Sequence, residues 1–269
     1  MILVELRKLY RRPRTWVSIA LLCALPFSVA IFLATTRVAG GGPAFLQAVL
    51  GNGSLFPAAS LAIVLPLFLP VAVAIVGGDA VAGEASSGML RYLLARPVGR
   101  TRLLFAKLVS LTVFVSGAVI AVVVTGYIIG VILFPPQPGV AGVVTSVSGP
   151  ALSPQQIALR ILAAMLYVAI SMLGVGAIAL FLSTLTDSSL GATLGAIAVL
   201  VASQLFVTLD AATSIRPYLP TRYWLAWLDF FREPILWRDI ERGLGIQLIY
   251  VVVLLLASWA NFATKDVTS

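Results

Sequence analysis

The sequence predicts an all-α integral membrane protein: six transmembrane helices, an amphipathic helix before the first, a short cytosolic helix after the second, and short interfacial or re-entrant helices before the last. Three observations carry the prediction. Of 269 residues, 60% are hydrophobic and only 10% are charged, against roughly 25% charged in soluble domains. The mean hydropathy is +1.06. The apolar residues gather into six runs, each long enough to cross a hydrocarbon core of about 30 Å.

In chain order, the first ten residues read as an amphipathic helix. Ile2, Leu3, Leu6, Leu9 and Tyr10 share one face at helical spacing, while Glu5, Arg7, Lys8 and Arg11 share the other. Pro13 then turns the chain. The segment 1–14 is expected to lie on the inner leaflet as an elbow, the alternative being an ordinary basic flank. The spans follow at about 15–35, 55–77, 108–134, 157–183, 189–209 and 244–263. The first run is near twenty residues and is read as a retained span, because a signal-peptide core is about 7–15 residues. No Asp or Glu falls within these limits, and Arg160, near the start of the fourth, can snorkel.

Orientation follows the cations. Arg7, Lys8, Arg11, Arg12 and Arg14 precede span one, and Arg91, Arg96, Arg100, Arg102 and Lys107 lie between spans two and three. The segment 36–54 holds only Arg37, and 135–156 holds no cation. Both termini and the segment 78–107 are therefore expected in the cytoplasm. The segment 210–243 opposes this rule with Arg216, Arg222, Arg232, Arg238 and Arg242, balanced by Asp210, Asp229, Glu233, Asp239 and Glu241. An alternative topology places it inside and removes one of the two preceding spans. Its aromatics, among them Tyr218, Tyr223, Trp224, Trp227 and Trp237, suit an interfacial anchor or a substrate site. Thr221 is expected to cap a short helix there and Pro234 to end it.

Several chemistries are excluded. The chain has no His and one Cys, Cys23, so no Ser–His pair, His metal site or disulfide can form. It has no GxxxxGK[ST] phosphate loop. No catalytic residue and no metal site is expected. The net charge of +8 is read as cytoplasmic anchoring beside anionic lipid rather than nucleic-acid binding.

In Gly83–Arg100, GEASSGMLRYLLARPVGR, Met89, Leu90, Leu93 and Leu94 cover an arc of about 140° on a helical wheel, while Arg91 faces away. Gly88 permits a break before this ridge and Pro97 ends it. Asp79 and Glu84 come early, where a helix N-terminus favours acids. The ridge fits either the inner leaflet or a groove on a partner protein.

Two segments resemble a known family. Asp79, Glu84, Gly88, Leu90, Leu93, Leu94, Pro97, Val98, Arg100 and Lys107 are similar to the signature of ABC-2 type transporter permeases, closest to the bacitracin-export and NosY-like branch, with Met89 where Thr is usual. Phe262, Lys265, Asp266 and Val267 resemble that family's C-terminal motif. The resemblance implies an exporter of type V architecture. It implies a permease that pairs with itself or a sister subunit, and with two ATPase subunits that hold the ATP and Mg. The segment 79–100 would be the coupling segment entering a cleft on the ATPase, and Arg91, Arg96 and Arg100 could meet its acids. Spans two and five would face the translocation path, and short re-entrant helices would precede span six. Pro57, Pro66 and Pro70 would loosen span two. Gly191 and Gly195 would allow close helix or dimer packing in span five. Ser203, Gln204 and Thr208 follow them; Gln204 would line the path or bond another helix. An apolar path suits an amphiphilic, drug-like or lipid-like cargo. A scaffold without transport is the alternative.

Overall fold

The structure, a computed structural model, describes residues 1–36, 53–86, 100–135, 144–145 and 151–264. Helix α1, Ile2–Arg11, ends where Pro13 forces the residue before it out of the helical region; Arg12 is extended, with φ −78° and ψ 122°. Pro13 then opens α2, Pro13–Thr36, at the position where its missing N–H costs no hydrogen bond.

The second span is two helices. After a 3-10 turn at Gly53–Leu55 come α3, Phe56–Val64, and α4, Phe68–Ser86. Pro66 and Pro70 supply no N–H to the helical ladder, and the chain turns between the two helices. The apolar run ends near residue 77, but α4 continues to Ser86 and so contains Asp79 and Glu84. This corrects the expectation that they open a separate cytosolic helix and that no span holds an acid.

Helix α5, Arg100–Leu133, is about 50 Å long. It exceeds the hydrocarbon thickness, so its first turns emerge from the bilayer. A two-residue antiparallel pair, Val144–Thr145 with Ala151–Leu152, precedes α6, Pro154–Leu185, whose N-terminus is closed by a reciprocal box between Ser153 and Gln156. Ser188 caps α7, Ser189–Thr208. Three 3-10 helices, Asp210–Ala212, Arg216–Tyr218 and Ala226–Phe231, lead to α8, Trp237–Thr264.

Six of these helices are long and apolar enough to cross a membrane; the chain is a multi-pass membrane protein. Helices α4 and α6 are central, each 61% buried over its most apolar stretch, whereas α2 and α8 are 17% buried and lie at the periphery of the chain. Helix α4 packs on α6 and α7, α6 on α8, and α5 on α2 and α3. Helices α4 and α7 approach tightly at Gly78, where a Cβ would stand 2.9 Å from the Thr193 amide nitrogen.

One end of the bundle gathers α1, the end of α4, the start of α5, the α6–α7 turn and the end of α8. Asn261 donates to the Thr184 carbonyl at 2.9 Å, and Trp259 to the Thr101 hydroxyl at 3.0 Å. The 3-10 segment closes the opposite end. Helices α6 and α7 are each long and apolar enough to cross a membrane, which goes against the topology that removes one of them.

Candidate functional site

At the α1 end, charge is concentrated against the bundle. Helix α1 turns Glu5, Lys8, Leu9 and Arg12 inward, a single face at i, i+3, i+4 and i+7. These residues and Glu84, Lys107, Ser110 and Leu111 surround a cavity of about 40 Å³. The apolar residues Leu3 and Tyr10 point away, 81% and 54% exposed. The sequence expectation placed Glu5 and Lys8 on the outer, polar face. The observed rotation satisfies both arcs, because the outward apolar arc can meet lipid while the charges find partners.

Glu84 is the hub. Lys8 Nζ donates to its Oε1, and Lys107 Nζ lies 2.7 Å from its Oε2. The side chains of Glu84 and Lys107 are each 2% exposed. Lys107 also donates to the Ala80 carbonyl and lies 3.7 Å from the Glu5 carboxylate. One turn earlier on α4, Asp79 accepts from Arg12 and, at 2.8 Å, from the Ser189 hydroxyl; Arg14 stands 3.7 Å away. Three carboxylates thus meet four cations. This tolerates acids in the last turns of α4, where the helix dipole opposes them, and it ties α1, α4, α5 and α7 together.

Ser183 of α6 sets the height of this hub. Its hydroxyl accepts from the amides of Val81 and Ala82 at 3.0 and 2.8 Å and donates to the Gly78 carbonyl at 2.7 Å. It thereby inserts into the α4 ladder, where Ala82 N–H would ordinarily meet Gly78 C=O. Sequence reading had no signal for Ser183; it placed Lys8 on the polar face of the amphipathic helix and counted Arg12 only among the cations before span one.

Residues 87–99 join α4 to α5. Gly88, Met89, Leu90, Arg91, Leu93, Leu94, Arg96 and Pro97 lie outside the described residues, as do Lys265, Asp266 and Val267. Arg100 begins α5.

A second feature is a groove of about 230 Å³ where the α3–α4 break faces α7. Pro66, Gln204 and Thr208 line it together, with Leu67, Leu200 and Trp224 among the apolar walls. Ser203 does not share it; its side chain is buried and hydrogen-bonded to the Thr221 hydroxyl at 2.8 Å. Thr221 is thus a helix-to-loop link, not the helix cap expected from sequence; Leu225 precedes the 226–231 helix without a side-chain cap. Among the described residues, the nearest groups to a Cβ at Gly191 or Gly195 are side chains rather than the backbone of another helix. A Cβ at Gly191 would meet Ser188 at 3.4 Å, and one at Gly195 only the Leu182 methyl at 3.3 Å.

The middle of the 210–243 segment is folded into the bundle, while residues such as Tyr218 and Trp237 stay exposed. Trp224, Trp227, Phe230 and Phe231 are buried, Trp227 completely. Arg160, expected to snorkel, instead bonds Glu233 and, at 3.2 Å, the Arg232 carbonyl. Tyr167 donates to the Tyr223 carbonyl at 2.7 Å, and Gln247 to the Pro220 carbonyl at 2.6 Å.

Residues 2–220 match the family described as ABC-2 family transporter protein. No curated protein matches the chain.

Proposed function

The chain belongs to the ABC-2 family of transporter proteins and is thus a membrane permease of an ABC transporter; on that premise we propose that it exports an amphiphilic, lipid-like cargo using ATP hydrolysed by a separate nucleotide-binding subunit. The assembly is two permeases, alike or sister chains, with two ATPases at a bacterial plasma membrane. The bacitracin-export and NosY-like branch is the one its residues 79–107 suggest.

One observation supports the reading above others: Glu84 near the end of α4 and Lys107 near the start of α5 are joined by a buried ion pair. The residues between them, 87–99, are those whose sequence resembles a coupling helix. A push on that segment would reach both spans as a unit, because separating them would expose two buried charges. Helix α4 continues through the Pro66 break into the groove shared with α7. In this reading the break absorbs the motion, and Pro66, Gln204 and Thr208 lie on the cargo's path. The ATPase would enter through Met89, Leu90, Leu93 and Leu94, with Arg91, Arg96 and Arg100 toward its acids.

The test is co-purification in mild detergent followed by nucleotide hydrolysis in proteoliposomes. The permease should bring down an ATPase subunit. Leu93→Asp with Leu94→Asp should abolish transport while the permease stays folded. A permease isolated without any ATPase, or a double variant that exports normally, would overturn the assignment.

A further inference from the structure

The ion network leaves one part of the α1 end open. Between the starts of α2 and α7, over α4, is a cavity of about 410 Å³ lined by Arg12, Arg14, Asp79, Ser86 and Ser189 among others. We propose that this cavity seats the phosphate of a membrane phospholipid. The reading does not depend on the chain's having an ATPase partner.

The charge balance favours an anion. Two guanidinium groups face one carboxylate, and Asp79 is already engaged by Arg12 and by the Ser189 hydroxyl. Arg14 is held only loosely, 3.7 Å from Asp79, with its side chain 74% exposed. Among the described residues no other ion pair engages its planar donor fork, and that fork matches phosphate geometry. The connecting residues 87–99 contain no Asp or Glu, so they add no negative charge at this end.

The position favours a lipid over a free ion. Arg14 is in the first turn of a candidate membrane span, Pro13–Thr35, which is headgroup depth. Along α2, Val17 and Leu21 follow Arg14 at i+3 and i+7 and are 56% and 64% exposed. Leu190 and Leu194 on α7 are 68% and 56% exposed. A phosphate at Arg14 thus has apolar surface below it on both sides for acyl chains, which a free anion would not use.

Native mass spectrometry of delipidated full-length protein tests this, with phosphatidylglycerol titrated against diacylglycerol of the same chains. One phosphatidylglycerol should bind per chain, and diacylglycerol at least about tenfold more weakly, the loss expected for charge-assisted bonds to phosphate. Arg14→Gln should weaken phosphatidylglycerol by a similar factor. Arg14→Lys, which keeps the charge without the fork, should fall between, so the test survives if the Gln variant does not fold. Arg7→Gln, on an exposed part of α1, should change binding by less than about twofold if recognition is local rather than a diffuse surface attraction. Equal binding by wild type and both Arg14 variants would overturn the site, as would an equal loss from Arg7→Gln. Displacement of phosphatidylglycerol by millimolar inorganic phosphate would show a free-anion site and overturn the lipid assignment.

Discussion

Glu84 carries a full charge in the last turns of a helix whose dipole opposes it, with its side chain 2% exposed. Only its partners make that tenable. Replacing one member of a buried pair strands the other charge, at a cost of about 3–5 kcal/mol. Glu84→Gln should therefore lower unfolding stability in detergent by several kcal/mol. Glu5→Gln, whose carboxylate is 3.7 Å from Lys107, should cost less, on the order of 1 kcal/mol. The double replacement Glu84→Met with Lys107→Met should recover much of the loss, because the two most deeply buried charges leave together and only the more exposed Lys8 and Glu5, one turn apart on α1, lose a partner. Denaturation of the single and double variants checks this; a double variant as unstable as the sum of the singles would refute the pairing. Asp79, Glu84 and Lys107 were visible in the sequence as motif positions. Their partner Lys8 was not, since it stands 76 positions from Glu84 and reaches it only because α1 folds back. The acids were also misread locally: a hydropathy run stops at the first charge, but a helix need not stop where the charge is neutralised.

At the scale of the element, sequence and structure agree best where hydrophobicity alone decides. Helices α2, α6 and α7 lie within about three residues of their apolar runs, whereas α5 and α8 begin seven or eight residues earlier than the runs at 108–134 and 244–263. The second differs because Pro66 divides it and because its charged end stays helical. Packing was less legible. Small residues in α7 pointed to Gly191 and Gly195, yet the tight α4–α7 contact uses Gly78, where a Cβ would stand 2.9 Å from backbone. A glycine's role depends on what lies opposite, and a helix read alone does not reveal that. Gly78→Val should therefore destabilise the protein by about 1–3 kcal/mol through overpacking, whereas Gly191→Val should stay within about 1 kcal/mol. Thermal unfolding of both in the same detergent makes the comparison. If Gly191→Val left stability intact but dissociated the purified complex, that glycine would belong to a contact between chains. If both variants unfolded alike, the α4–α7 geometry described here would be wrong.

For the whole molecule, the sequence left one conflict: five arginines in a segment that six spans would place outside. The structure supplies a physical resolution. Arginine anchors a loop to the inner leaflet when its charge is free for anionic lipid. Arg232 lies 2.7 Å from Asp229, and Arg216 lies 3.6 Å from Asp210, while Arg222 stands over the Tyr223 ring at 5.9 Å. Glu233 is in turn paired with Arg160 from α6. Three of the five arginines are thus engaged by protein groups rather than free for lipid, which weakens their opposition to the orientation expected from the cations before span one and between spans two and three. The two ends can be told apart with single cysteines in a background where Cys23 is replaced by Ser. Arg7→Cys lies on exposed α1, and Tyr218→Cys replaces a side chain 71% exposed at the other end. An impermeant maleimide added to intact cells should label position 218 and reach position 7 only after permeabilisation. Labelling of both positions from one side would place the 3-10 segment and α1 on the same face. That outcome would remove a membrane crossing and, with it, the geometry by which α4 could carry motion from one face to the other.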